Sequence, residues 1–284
     1  MQSHLIRDQI LLHKSHKASS FLQDLSHYPA LGASAKLNFL SYNIHKGFNL
    51  RNTQYTLELI KKGIQETNCD ILCLQEVCGL NLHPHKEKIH PLQTQFEFLA
   101  DGAWPHHAYG KNAEYKSGHH GNAILSKYPI VESLNLDIST NAMEQRGLLH
   151  VKLQLAEDTY LHVMTTHLNL LAKGRLRQSR TIANYIQQNI PSEEALVLAG
   201  DFNDWKEELS SFLKKENNLD EVYLDQFKEH AKSFPSFAPF LKLDRIYFRN
   251  MKALKALCLL GEPWSKLSDH NPLYAKLSLL DRFS

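Results

Sequence analysis

Ala195-Leu196-Val197-Leu198-Ala199-Gly200-Asp201-Phe202-Asn203-Asp204 is an apolar run that breaks into glycine and then into acids and amides. It has the length of a strand, and apolar residues at consecutive positions mean burial on both faces. Such a strand belongs inside a layered sheet, and its polar exit is where a sheet presents side chains to a ligand. The same reading extends in both directions. Residues 37–44 form a strand carrying Asn43 at its end, 71–74 is a buried strand followed by Gln75 and Glu76, and 160–166 runs into His167.

Further strands are predicted over 123–125, 147–155, 196–199, 245–248, 254–260 and 273–277, and helices over 56–65, 173–189 and 204–216. Many strands with few intervening helices imply an α/β fold with two mixed β-sheets packed face to face and helices outside. The apolar positions Leu5, Ile6, Ile10, Phe21 and Leu25 mark residues 1–35 as an N-terminal helical extension, and 36–284 reads as one domain. The segment 81–91, with His83, His85 and His90, reads as a solvated loop.

The 284 residues carry a formal charge of +2, far from the basic excess of a dedicated duplex-binding surface, so any attraction for phosphate is local. Cys69, Cys73, Cys78 and Cys258 form no CxxC pair and read as reduced, buried thiols. No run approaches the ~18 apolar residues of a membrane span. With no leader read at the start, the expected location is the cytoplasm and the expected state a monomer.

Each candidate chemical residue follows an apolar run. Asn43 and Glu76 offer hard oxygen donors suited to Mg²⁺ or Mn²⁺, although Glu76 alone could equally be a surface ion-pair partner. Gly200 permits a tight backbone turn that would aim Asp201 and Asn203 at one site, while Asp204 reads as a helix cap. Asp269 and His270 adjoin before Asn271-Pro272, and Asp244 could orient the imidazole. Arg175 and Gln178 would share a helix face able to receive phosphate, or would belong to a solvated basic face.

Asn43 in Ser-Tyr-Asn-Ile-His, Glu76 in Leu-Gln-Glu-Val, Gly121-Asn122-Ala123, Arg146-Gly147, His167-Leu168, Gly200-Asp201-Phe202-Asn203, Leu243-Asp244-Arg245 and Ser268-Asp269-His270 occur in one order. In that order, over 37–278, the chain resembles the endonuclease/exonuclease/phosphatase superfamily, within it an uncharacterised bacterial subgroup. The resemblance implies a four-layered sandwich and metal-assisted, in-line hydrolysis of a phosphoester. It implies Glu76, Asn43 and Asp269 at the metal, and Asp201 between metal and nucleophile. It implies Asn203 and His167 on the phosphoryl group, with His270, oriented by Asp244, as base or as charged stabiliser. Tyr109, Asn122, His120 and Arg175 become substrate-binding candidates. AP endonucleases carry an aspartate where this chain has His45, which argues against AP-site specificity.

The leading reading is therefore a Mg²⁺-dependent phosphodiesterase with nucleic acid as its substrate class. The alternative is a phospholipid-headgroup or inositol-phosphate phosphoesterase. A silent binding domain is disfavoured by the intact set Glu76, Asp201, Asn203, Asp269 and His270.

Overall fold

The structure, a computed structural model, describes residues 35–81, 93–116 and 118–280. The extension predicted over 1–35, apart from residue 35, and the loop predicted over 81–91, apart from residue 81, lie outside the described residues. In chain order the first half comprises β1 (Lys36–Asn43), α1 (Leu57–Glu66), β2 (Ile71–Asn81), α2 (Gln95–Ala100), β3 (His106–Tyr115), β4 (Gly118–Ser126) and β5 (Ile130–Asp137). It continues with β6 (Gly147–Ala156), β7 (Thr159–His167), α3 (Ala172–Asn189), β8 (Ala195–Asp201), α4 (Leu209–Asn217) and β9 (Asp220–Glu221). The last elements are α5 (Val222–Phe227), β10 (Asp244–Arg249), β11 (Met251–Cys258) and β12 (Leu273–Leu279).

These strands form two six-stranded sheets, ordered β11-β12-β1-β2-β4-β3 and β5-β6-β7-β8-β10-β9. Each is mixed: β1 and β2 are parallel, as are β7 and β8, and the other pairings are antiparallel.

The two-residue period of a strand sorts side chains into layers. On the outer face of the first sheet, Leu40, Tyr42, Leu72 and Leu74 pack against Leu57, Ile60 and Ile64 of α1 and Leu99 of α2. On the outer face of the second, Met164, Leu196, Leu198 and Tyr247 pack against Ile182 and Ile186 of α3 and Leu209 and Leu213 of α4. The alternate residues, Leu37, Phe39, Ile71, Cys73, Val163, Val197 and Ile246, are buried without joining either cluster and fill the space between the sheets. Each fully buried aliphatic side chain contributes about 1.5–3 kcal/mol, so helix layer, sheet, sheet and helix layer are each held by their own apolar face.

The structure adds elements that the pattern did not predict. β3 and β5 lie at the edges of their sheets, and both carry many exposed polar residues, so neither shows an apolar period. The helix expected from 204 starts at Leu209, where the Asp204 carboxylate accepts from the Leu209 amide at 2.9 Å.

Gly200 does not make the turn expected of it, because β8 continues through Asp201. Its requirement is close approach: a Cβ here would lie 2.0 Å from the carbonyl oxygen of Thr166, on a backbone with φ of +150°. Gly200→Ala is expected to destabilise the fold by about 3 kcal/mol, as overpacking and backbone strain combine. A urea melt that returns the wild-type midpoint would refute that account.

Candidate active site

The layering that builds the core also builds the site. Continued to the strand ends, the inward-facing parity of β1 reaches Asn43, that of β7 reaches His167, that of β8 reaches Asp201, and that of β10 starts from Asp244. Register brings the ends together, since His167 and Asp244 both pair with Asp201 across their ladders. The Asp269–His270 segment arrives beside Asn43, because Ser41 pairs with Leu273. Two of the hydrogen bonds that join the sheets lie at this point. Gln75 Nε2 donates to Thr165 Oγ1 at 2.9 Å, and Asn43 Nδ2 donates to Asp201 Oδ2 at 3.1 Å.

Glu76 reaches this cleft by breaking the parity. The sequence pattern placed it after a strand that ends at Leu74, but β2 runs on to Asn81. Its ladder to β4 shifts register between Leu74 and Val77, and Glu76 has φ of +55°. This is a β-bulge, which re-aims a side chain by inserting one residue into the ladder. An unbroken strand would point Gln75 and Glu76 to opposite faces. Here Gln75 ties the sheets together, and Glu76 Oε1 lies 3.5 Å from Asn43 Nδ2 and 3.9 Å from His167 Nδ1.

The electrostatics divide the site in two. Burial works against a charged His270, but the Asp244 and Asp201 carboxylates more than offset it and hold the imidazole up at about 10. His270 Nδ1 meets Asp244 Oδ2 at 2.8 Å, and Ser233 Oγ donates to the same oxygen. Burial raises Asp201, with Asp244 adding to the effect against His270. The buried ring of His167 is held well below its ordinary value by desolvation and then by Arg146, so it is neutral. Burial would also raise Glu76, yet the groups around it bring its carboxyl down to about 2. His167 would be the largest lowering influence if charged, but it is neutral, so the standing charges that lower Glu76 are Lys46, whose Nζ lies 3.7 Å from Glu76 Oε2, and the cationic His270.

Residues 40–270 match the Endonuclease/Exonuclease/phosphatase family. The chain belongs to this family. Uncharacterized protein YbhP of Escherichia coli strain K12 is 39% identical over 242 residues, covering 84% of this chain and 95% of its own. An endonuclease/exonuclease/phosphatase from Beutenbergia cavernae shares the fold with a TM-score of 0.69 at 17% identity, over 86% of this chain and 72% of that one. D. rerio TDP2 in complex with a single-strand DNA product does so with a TM-score of 0.62 at 18% identity, over 86% and 99%. Family members are phosphoric ester hydrolases, typically dependent on a divalent metal.

The expected residues of this endonuclease/exonuclease/phosphatase chain do not all meet. Asn43, Glu76, His167, Asp201, Asp244 and His270 converge, with Asp269 Oδ1 3.8 Å from His45 Nδ1 at their edge. Asn203 joins them by a φ of +49°, with its amide group donating to the Leu168 carbonyl at 2.9 Å. His120 shares the inward parity of Asn122, and its half-buried ring is pushed down to about 4, by desolvation first and Lys46 second. Asn122 is a tie between sheets, donating to the Gly147 carbonyl at 3.1 Å.

Two of the substrate-binding candidates lie elsewhere. Tyr109 packs on the helix face of the first sheet, stacked on Phe96 and bonded to His119 at 2.9 Å, because it pairs with outward-facing Ala123. Arg175 is buried, donates to the Leu170 carbonyl and lies over the Trp205 ring at 4.5 Å, so it braces loops rather than presenting an open guanidinium. Sequence reasoning gave no role to Lys46, Ser233 or Phe234, whose ring lies 4.9 Å from that of His270. Lys46 directly follows the Ser-Tyr-Asn-Ile-His motif, whereas Ser233 and Phe234 lie in an irregular segment with no period to read.

Proposed function

We propose that this protein is a divalent-metal-dependent phosphodiesterase that hydrolyses a P–O bond by in-line attack of water. The observation that carries the reading is the cleft itself. A charged His270–Asp244 pair, a neutral His167, a raised Asp201 and an ionised Glu76 lie within hydrogen-bond or ion-pair reach of one another across two sheets.

Two groups of donors could hold the metal. Ligand atoms of Asp201, Asp244 and His270 lie within 4.8 Å of one another. In that group Asp244 Oδ2 is committed to His270 and Ser233, Asp201 Oδ2 accepts from Asn43, and the charged His270 ring has no lone pair to offer, although Asp244 Oδ1 has no partner. Glu76 is less committed: its hydrogen bond to Asn43 is 3.5 Å long and its ion pair to Lys46 is 3.7 Å. Asp269 takes one hydrogen bond at 3.2 Å, from Ser268 Oγ. Hard carboxylate oxygens with open lone pairs fit Mg²⁺ or Mn²⁺, so Glu76 and Asp269 are the residues that would hold it, joined by Asn43 once its amide turns over, since its Oδ1 now accepts from the His45 amide at 3.1 Å and its Nδ2 faces Glu76. When bound, such an ion supplies Lewis-acid neutralisation of phosphate charge.

The remaining work falls to the chain. Asp201, raised by burial, accepts the proton of the attacking water more readily than an exposed carboxylate would. His270, cationic through neutral pH, faces Asp201 across 3.6 Å and stabilises the charge that develops on the phosphoryl oxygens. Neutral His167 and the Asn203 amide donate hydrogen bonds to those oxygens, and Asp244 fixes the His270 ring.

Bis(p-nitrophenyl) phosphate with Mg²⁺ or Mn²⁺ is expected to be hydrolysed, and EDTA to stop the reaction. Turnover that persists in EDTA would end the reading. A panel of single-stranded DNA, RNA, phospholipid and inositol phosphate then ranks substrate classes. The nucleic-acid preference draws support from the fold shared with TDP2, while the apolar rim described next favours phospholipid.

A further inference from the structure

The most exposed apolar side chains gather at one end of the molecule. Met143 is 96% exposed, Leu171 72%, and Phe237 and Phe240 66% each, and no other large apolar side chain among the described residues exceeds 60%. Strand pairing places all of them at the catalytic end. Asp137 pairs with Gly147, so the loop carrying Met143 projects from the end where β6 begins. Leu148 pairs with Thr166 and His167 with Asp201, so Leu170 and Leu171 leave from that same end. Asp244 pairs with Asp201, so the segment bearing Phe237 and Phe240 arrives there too.

These side chains are held outward by ordered backbone. The amides of Phe240 and Leu241 both donate to the Phe234 carbonyl at 2.9 Å, closing a loop whose tip carries Phe237. The loop is fastened to the catalytic segment: the Ser236 amide donates to the Asp269 carbonyl at 2.8 Å, and the Asn271 amide to the Ser233 carbonyl at 2.9 Å. Across the cleft, Asn169 Nδ2 donates to Thr140 Oγ1 at 2.9 Å and the Leu170 amide to Glu144 Oε1 at 3.3 Å, joining the other two loops. Isolated exposed apolar residues are ordinary, but a set fixed around one cleft is an interaction surface.

Charge identifies the occupant. α3 begins directly after Leu171, contains no acid over Ala172–Asn189, and exposes Lys173, Arg177 and Arg180. Lys206 is exposed beside Trp205. At the same end Glu144 faces Arg146 and Glu207 faces Lys242, which leaves Glu208 as an exposed acid beside Lys206. Aliphatic and aromatic tips flanked by exposed cations match the boundary between acyl chains and anionic headgroups. A nucleic acid would use faces for base stacking, and Met143 and Leu171 have none.

We propose that this rim is a membrane-docking surface, and that the catalytic end seats on an anionic lipid bilayer with Met143, Leu171, Phe237 and Phe240 entering the interface. The phosphate under the docked face is then that of a lipid headgroup, a step that rests on the phosphodiesterase reading, whereas the docking does not.

The test is co-sedimentation of the full chain, in EDTA, with vesicles of phosphatidylglycerol and phosphatidylcholine in equal parts and with vesicles of phosphatidylcholine alone. Partitioning is expected to be about tenfold stronger on the anionic vesicles. Phe237→Ser/Phe240→Ser, and separately Met143→Ser/Leu171→Ser, should each weaken it about tenfold while hydrolysis of bis(p-nitrophenyl) phosphate stays unchanged. Absence of partitioning, or equal partitioning of variants and wild type, overturns the proposal. Loss of single-stranded DNA binding in the same variants, with vesicle binding intact, assigns the rim to nucleic acid and overturns it as well. Vesicle binding by a protein inactive on the soluble diester leaves docking established and removes the phosphodiesterase reading.

Discussion

Replacing His270 by alanine is expected to lower kcat/KM for a soluble phosphodiester by about 10⁴-fold, equivalent to about 5 kcal/mol of transition-state stabilisation. The size follows from what the ring does in place. Its Nδ1 is fixed by Asp244 at 2.8 Å and its Nε2 lies 3.6 Å from Asp201, in surroundings from which water is largely excluded. A charge preorganised there cannot be replaced by solvent. The pH dependence carries the same signature. The folded pKa is raised, so the stability gained from the charged ring is complete below the ordinary value near 6.5 and is lost as pH rises through about 10. Activity that needs the imidazolium therefore falls on the alkaline side near 10, and Asp244→Asn should move that limb toward neutrality. His270→Ala also leaves Asp201 buried without its cation, so circular dichroism must show a folded variant before the rate is interpreted. Full activity in a folded His270→Ala protein would remove His270 from the chemistry.

Much of this site was legible because it follows strand parity. Asn43, His167 and Asp201 close apolar runs on the inward-facing phase, and Asp244 opens one, so the pattern that marks the sheet core also marks the site. Parity also separates His119 from His120, one on each face of β4, although adjacency alone hid the difference. It would have turned Tyr109 away from the cleft had β3 been read as a strand, but that edge strand has no apolar period. Glu76 shows the opposite limit. Its residue type and motif were readable, but its position depends on a bulge at φ of +55° within a continuing strand, and an apolar pattern does not encode an inserted residue. Ser233 and Phe234 depend on a segment ordered by hydrogen bonds to distant backbone, which leave no local trace. Arg175 was legible as a cation on a helix face, but whether that face meets solvent or a loop is decided by the packing of the 168–171 segment.

Glu76→Gln should have the second large effect, a loss of about 10³-fold in turnover together with at least about 100-fold weaker Mn²⁺ binding by calorimetry. The substitution keeps shape and one oxygen donor, so it tests charge rather than packing. In the metal-free chain Glu76 is held at about 2, with Lys46 and the cationic His270 among the groups that oppose the effect of burial. Its folded pKa is depressed, so the stability it contributes is present above the ordinary value near 4.3 and is lost as pH falls toward about 2. The variant lacks that acid limb, and its metal-free melting temperature should vary less than the wild type's between pH 5 and pH 3. Lys46 sharpens the test. A cation 3.7 Å from the carboxylate neutralises part of the charge a metal would meet, so Lys46→Met should tighten Mn²⁺ binding where Glu76→Gln weakens it. If Glu76→Gln bound Mn²⁺ like the wild type, the metal would have to be held elsewhere. Asp201, Asp244 and His270 would then be the candidate ligands, through Asp244 Oδ1, which has no hydrogen bond, and His270 Nε2, and a ligating imidazole could not carry the charge assigned to it above.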